Sequence, residues 1–229
     1  MLFDAGGIFI APDPAAIGPV LAPFGGTTDS NVIVRSHFVA LDALERPSIS
    51  SGGGTIENLD WTVYRRAMAA TCGVLEPRLD EAAAALDAIW SPFLWRHRLE
   101  ESVSALWRLH RAGVPIGVVS NASGQVEATL AYQGICQVGR GAGVPVVCVI
   151  DSAVVGVAKP DPAIFEPALA VLGLDGGERI AYVGDSVVND VGGARNAGLT
   201  ALLYDPFGDR CDLTEIERLT TLHDLHEMV

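Results

Sequence analysis

The sequence predicts an α/β protein: a parallel sheet entered by a short first strand, with an all-helical segment inserted before the remaining strands. Three observations carry this. From residue 101 onward, apolar runs of strand length alternate with amphipathic stretches of helix length, the pattern of right-handed β-α-β crossovers. Between them and the first strand, residues 13–97 show apolar spacing of helical period only. Finally, Asp4, Ser120 and Asp185 each follow an apolar run at its carboxyl end, where open parallel sheets hold their ligands.

Residues 1–3 are a brief apolar strand running into Asp4. In the insertion, Ile17, Val20, Leu21 and Phe24 mark one helical stripe. Trp61, Tyr64, Met68 and Cys72 mark a second, and Leu79, Leu86, Ile89 and Trp90 a third. Residues 46–54, with Pro47 and three consecutive glycines, read as a loop. Beyond it, 101–112 is a helix stopped by Gly113, 114–119 a strand, 124–133 a helix and 144–150 a strand. Residues 162–172 form a helix with proline in its first turn and Gly173 at its end. Residues 179–183 are a strand, 187–197 a helix closed by Gly198, and 200–204 a strand, with 213–227 as a closing helix. Residues 1–12 with 98–229 form the expected core domain, and 13–97 the helical insertion. No internal repeat is evident.

Composition bounds the function. Apolar residues at 49% and charged residues at 19% describe a globular chain. A net charge of −13 repels a nucleic-acid backbone, so an anionic ligand needs local positive charge or a metal. The four cysteines, Cys72, Cys136, Cys148 and Cys211, lack Cys-x-x-Cys spacing and read as reduced thiols. No apolar run approaches the ~20 residues of a membrane span, and no basic segment opens the chain. A cytoplasmic protein, monomeric or homodimeric, is expected.

Four motifs then stand out: Phe3-Asp4-Ala5-Gly6-Gly7, Val118-Val119-Ser120-Asn121, Lys159-Pro160-Asp161-Pro162 and Gly184-Asp185-Ser186-Val187-Val188-Asn189-Asp190. Lys159 is the one lysine of the chain. Taken singly, the aspartate reads as a turn residue, the Ser-Asn pair as a helix cap and the lysine as a surface residue. Together, in this order and at strand ends, they suit phosphoryl transfer around a divalent cation. They resemble the motifs of the haloacid dehalogenase-like (HAD) hydrolase superfamily over nearly the whole chain. The resemblance implies a Rossmann-like parallel sheet core (the HAD fold) with an inserted all-helical cap domain. It also implies a Mg²⁺-dependent phosphatase of a small phosphorylated metabolite. Asp4 would be the nucleophile and form an aspartyl-phosphate. Ser120 and Asn121 would meet phosphoryl oxygens, and Lys159 would hold them beside the nucleophile. Asp4, the Gly6 carbonyl, Asp185 and Asp190 would hold Mg²⁺, Asp190 directly or through water.

The first motif departs from the family's Asp-x-Asp-Gly-Thr. Gly6 stands where the second aspartate, the general acid/base, belongs, and Ile8 replaces the threonine. Carbon–halogen hydrolysis needs no second aspartate, but its relatives usually lack the acidic pair seen here as Asp185 and Asp190. Phosphonate cleavage needs a cap lysine, and this cap has none. A non-catalytic, ligand-binding member is the alternative of a different class. In the cap, His37, Tyr64 and His97 are titratable candidates for proton transfer, although a structural role is the ordinary reading of each. Arg35, Arg65 and Arg66 could meet an anionic substrate, and Trp61 and Tyr64 could stack on a ring. Their ordinary reading is a helix with a buried aromatic side and a solvated basic side.

Overall fold

The computed structural model describes residues 1–50, 60–173 and 180–228. The chain forms two compact units, Met1–Ile10 with Arg98–Val229, and Ala11–His97.

The first unit is built on a parallel six-stranded sheet. Its strands are β1 (Leu2–Phe3), β4 (Gly117–Ser120), β7 (Cys148–Asp151), β8 (Ala181–Gly184), β9 (Thr200–Tyr204) and β10 (Arg218–Leu219), in the order β10-β9-β8-β1-β4-β7. β2 (Ile10–Pro12) and β3 (Trp95–Arg98) pair at the two ends of the insertion, and β5 (Cys136–Val138) and β6 (Val144–Val146) form a small parallel pair. β1 is only two residues long, yet it is central. Leu2 lies between Gly117 and Tyr182, and Phe3 between Val118 and Val183. The bonds Gly117 N–H to Met1 O (3.0 Å) and Asp4 N–H to Val183 O (2.9 Å) extend its pairing at both ends. The chain moves outward on one side of β1 through β4 and β7, then on the other through β8, β9 and β10. That reversal leaves a crevice beyond the carboxyl ends of β1, β4 and β8.

In the second unit, α1 (Pro14–Leu21), α2 (Ser30–Ser50), α3 (Trp61–Thr71) and α4 (Leu79–Ile89) bury Ile17, Leu21, Ile33, Leu44, Met68 and Leu86 against one another. Asp13 and Asp60 cap α1 and α3 through their carboxylates. The α/β unit adds α5 (Glu100–Arg111), α6 (Val126–Tyr132), α7 (Ser152–Val155), α8 (Glu166–Leu172) and α9 (Gly192–Asn196). α5 has Glu100 and Glu101 in its first turn and Arg108, His110 and Arg111 in its last, as its dipole favours.

Four expectations need correction. Residues 46–50 belong to α2 rather than a loop: Leu41 and Leu44 carry its buried face forward, and Arg46 pairs with Asp42 one turn back at 2.7 Å. The rest of that expected loop, 51–54, lies outside the described residues. The expected strand 144–150 is two strands in different sheets. Val144 N–H turns to Ile135 O and Val147 N–H to Ile116 O, and β5 was not foreseen at all. Gly143 makes that arrangement possible, since a Cβ there would lie 2.6 Å from the Ile135 carbonyl carbon. The expected helix 187–197 begins as one turn of π-helix, Val187–Val191, before α9. The expected closing helix is instead β10 followed by a 3₁₀ turn, Leu222–Met228. Here β10 pairs with β9, and the Thr221 hydroxyl accepts His223 N–H at 3.2 Å, a local bond that competes with helix.

Cys72, Cys136 and Cys148 are buried and Cys211 is exposed. Burial raises all three buried thiols, Cys136 to about 12. An aromatic disulfide reagent at pH 8 is therefore expected to label one thiol rapidly in the native protein and all four in denaturant. Rapid labelling of more than one native thiol would contradict this packing.

Candidate active site

Asp4 leaves the sheet directly after β1. The chain beyond it closes into a tight turn, with Phe9 and Ile10 N–H both bonded to Ala5 O and Gly7 N–H to Ile10 O. Gly7, at φ 66°, takes the left-handed conformation this turn requires. Gly6 pairs through its backbone with Ile10.

Lys159 is the centre of a buried polar cluster. Its Nζ donates to Asp190 Oδ1 at 2.6 Å and to the Tyr182 hydroxyl at 2.6 Å. It also lies 2.9 Å from Asp4 Oδ1, an ion pair in which no donor lines up with that buried oxygen as a full hydrogen bond. Burial opposes the ammonium, but Asp190 and Asp4 outweigh it and hold Lys159 above the ordinary lysine pKa. Burial also raises the Asp190 carboxyl to about 6. Lys159 pulls against that rise, while Asp4 and Asp185 add to it.

The surrounding backbone is arranged to deliver these groups. The Asn121 side chain clamps the Lys159 backbone, accepting its N–H at 2.8 Å and donating to its carbonyl at 3.0 Å. Ser120 is buried at the end of β4. The loop after it is pinned by Asp151, which accepts Gly124 N–H at 2.9 Å, and by Ser152, which accepts Ala122 N–H at 3.0 Å. The π turn folds Asp190 back so that its Oδ2 accepts Ser186 N–H at 2.9 Å. π turns recur at functional sites because they re-aim a side chain within a helix. The carboxylate then rests directly on Gly184, where any Cβ would collide with the Asp190 carboxyl carbon.

The structure thus brings Asp4, Lys159, Asp185 and Asp190 together, with Asn121 behind the lysine. Carboxylate oxygens of Asp4, Asp185 and Asp190 lie within 4.8 Å of one another, all three residues buried. The donor set fits Mg²⁺: it is oxygen only, it gathers three acids around one lysine, and it includes the unaligned Asp4 Oδ1. Both Asp190 oxygens already accept bonds from Lys159 and Ser186.

Two residues escaped the sequence reading. Tyr182, on β8, bridges Lys159 and Val119 O, the latter at 2.8 Å. Its signal was a polar tip inside an otherwise apolar strand. Arg210 is buried and donates from Nη1 to Asp185 O at 2.8 Å. Its loop is held by Asp205, which accepts Asp209 and Arg210 N–H. Nothing in the sequence separates Arg210 from the other arginines.

In the helical unit, Tyr64 is a core residue whose hydroxyl meets His37 Nδ1 at 2.7 Å, both side chains buried. Arg65 pairs with Asp87 at 3.1 Å, and Arg66 with Glu76 at 2.7 Å and with Asp80. Trp61 is exposed, and His97 is partly so. Tyr64 follows the structural reading, whereas Trp61, read as the start of the same buried stripe, lies exposed at the first position of α3.

Comparison with known proteins accords with this geometry. A family model described as haloacid dehalogenase-like hydrolase matches residues 54–198, more than half of the chain. The chain belongs to that family. The matched stretch takes in Ser120, Lys159, Asp185 and Asp190. The chain is 29% identical over 167 residues to the ribulose-1,5-bisphosphate 5-phosphatase of Halopiger xanaduensis, a match covering 72% of this chain and 65% of that protein. Among solved structures, a HAD phosphatase from Thermococcus onnurineus is 22% identical with a TM-score of 0.58, covering 99% of this chain and 95% of that one. A 2-haloacid dehalogenase from Pseudomonas syringae pv. Tomato gives the same identity and coverage with a TM-score of 0.52. At this identity the two structures establish the shared fold. Among the described residues, no helix is long and apolar enough to cross a membrane.

The Gly184 contact yields a direct test. Gly184→Ala is expected to destabilise the protein by about 1–3 kcal/mol, as overpacking does, measured by urea unfolding. Wild-type stability in that variant would mean that Asp190 does not rest on Gly184.

Proposed function

We propose that the chain is a Mg²⁺-dependent phosphatase of a small phosphorylated metabolite, acting through an aspartyl-phosphate on Asp4. The observation that carries this reading is the buried meeting of Asp4, Asp185 and Asp190 with Lys159 at the carboxyl ends of β1 and β8. The phosphatase relative supports the choice of a phosphate ester over other substrates.

On this reading Asp4 attacks phosphorus, and Ser120, the Asn121 N–H and Lys159 hold the phosphoryl oxygens. Asp4, the Gly6 carbonyl and Asp185 would hold Mg²⁺. Asp190, with both oxygens engaged, would support the ion through water. The bound ion would offset the repulsion between a carboxylate and an anionic phosphoryl group. The chain's own part is positioning: Lys159 supplies fixed positive charge, and Asn121 fixes where that charge sits.

Gly6 supplies no proton. A positioned general acid contributes ~10²–10⁴-fold, so its loss weighs most on alkyl leaving groups, which depart as strong bases. Aryl and acyl phosphates depart with little protonation. Phosphate release is therefore expected to need both Mg²⁺ and Asp4 and to fall steeply as leaving-group pKa rises. Asp4→Asn should remove it. Equal rates on alkyl and aryl phosphates would sink the leaving-group argument and point to another proton donor. Since Gly7 rather than Gly6 carries the positive φ, an aspartate at position 6 faces no such backbone penalty. Gly6→Asp is expected to raise alkyl-phosphate turnover on the order of 10²-fold and to change aryl-phosphate turnover far less.

Gly6 also favours a second reading, carbon–halogen hydrolysis by the Asp4 carboxylate, which the acidic pair Asp185 and Asp190 opposes. Metal-independent halide release, with no phosphate release from any ester, would favour it.

A further inference from the structure

Tyr182 has more contacts than a core tyrosine needs. A buried phenol requires one hydrogen-bond partner, and Val119 O at 2.8 Å supplies it. The phenol's one proton can go to Val119 O or to the more distant Asp190 Oδ1 at 3.2 Å, and an ammonium can only donate. Its oxygen therefore faces Lys159 Nζ as an acceptor, at 2.6 Å. A phenol, with an ordinary pKa of ~10, keeps its proton at neutral pH. The ring is fixed as well: Phe165 meets it edge-on at 5.0 Å, and the Lys159 ammonium lies 5.2 Å from its centroid.

An ammonium has three protons. Asp190 and Tyr182 take two in short bonds, from opposite kinds of partner, one charged and one neutral. Asp4, at 2.9 Å, is within reach of the third but not aligned with it. Two fixed anchors determine the orientation of the tripod; one would leave it free to turn. We infer that Tyr182 is a positioning residue for Lys159, its neutral oxygen holding one ammonium proton so that the remaining one is kept for the phosphoryl group beside Asp4. A neutral acceptor suits this task, since a third carboxylate on the lysine would cancel the positive charge offered to the substrate.

This inference rests on the phosphatase reading for its effect on catalysis, but it can be read without turnover. Because the chain has one lysine, protein labelled with ¹⁵N-lysine gives a single side-chain ammonium signal. In Tyr182→Phe, which keeps the ring and removes the hydroxyl, the ammonium protons are expected to exchange with water at least tenfold faster. The kcat is expected to fall on the order of 10–100-fold with little change in KM, because the charge remains and only its aim is lost. A merely structural tyrosine would lower the unfolding midpoint and leave exchange and kcat alone. Unchanged exchange, or unchanged kcat, in folded Tyr182→Phe overturns the inference. If the wild-type protein turns over no phosphate ester, the phosphatase reading fails, and the exchange comparison alone decides the role of Tyr182. If Tyr182→Phe does not fold, magnetisation transfer in the wild-type protein between the Lys159 side chain and the Tyr182 ring replaces it, and absence of that transfer overturns the inference.

Discussion

A single buried ammonium organises the polar heart of the α/β unit. Taking a lysine out of water costs several kcal/mol, and only good partners in good geometry offset it. Lys159 has those partners in Asp190, Asp4 and Tyr182. Each comes from a different place in the chain: the turn after β8, the end of β1 and the middle of β8. Removing one member of a buried ion pair typically costs about 3–5 kcal/mol, because the other is left uncompensated. The cluster therefore stands or falls as a set, which ties the first strand to residues more than 150 positions later.

That requirement explains backbone features that look unrelated. β8 can supply Tyr182 only if Gly184, two residues on, has no side chain, because the Asp190 carboxylate occupies the space. Asp190 reaches that space only through the wide π turn, which a regular helix from Val187 would not provide. Lys159 precedes a proline-rich turn with no strand to hold it, and Asn121 supplies the missing register by bonding both of its backbone groups. The short β1 is sufficient because it lies between two longer parallel neighbours and its outer backbone groups are paired.

The fold class was legible because parallel sheets write themselves as alternation, and the site because its residues follow apolar runs at strand ends. What escaped was of three kinds. Where two strands of different sheets join without a polar break, as at Val144–Val146 and Cys148–Asp151, periodicity has nothing to report. Where a local side-chain bond competes with a helix, as at Thr221, a stretch of helical length misleads. Asp4, Lys159, Asp185 and Asp190 were expected to meet because their motifs follow one another at strand ends, and their side chains do meet. Tyr182 and Arg210 were not foreseen, because their roles arise from distances between elements, and a tyrosine in a strand or an arginine in a loop is ordinary until those distances are known.

The charge of the chain gives this arrangement its consequence. Acidic residues outnumber basic ones 28 to 15, and basic residues of both units are already paired, as Arg46, Arg65, Arg66 and Arg218 show. Such a surface gives an anion little reason to stay. On the proposed reading, affinity for a phosphorylated ligand must then come from a small volume, and Lys159 with a divalent cation held by the acids beside it would be that volume. The substitution at Gly6 leaves this anchor alone, since the contacts around Gly6 are made by backbone. On the proposed reading, binding and nucleophilic attack keep their machinery while protonation of the leaving group does not. Selectivity among phosphate esters would then follow the acidity of the departing group as much as its shape.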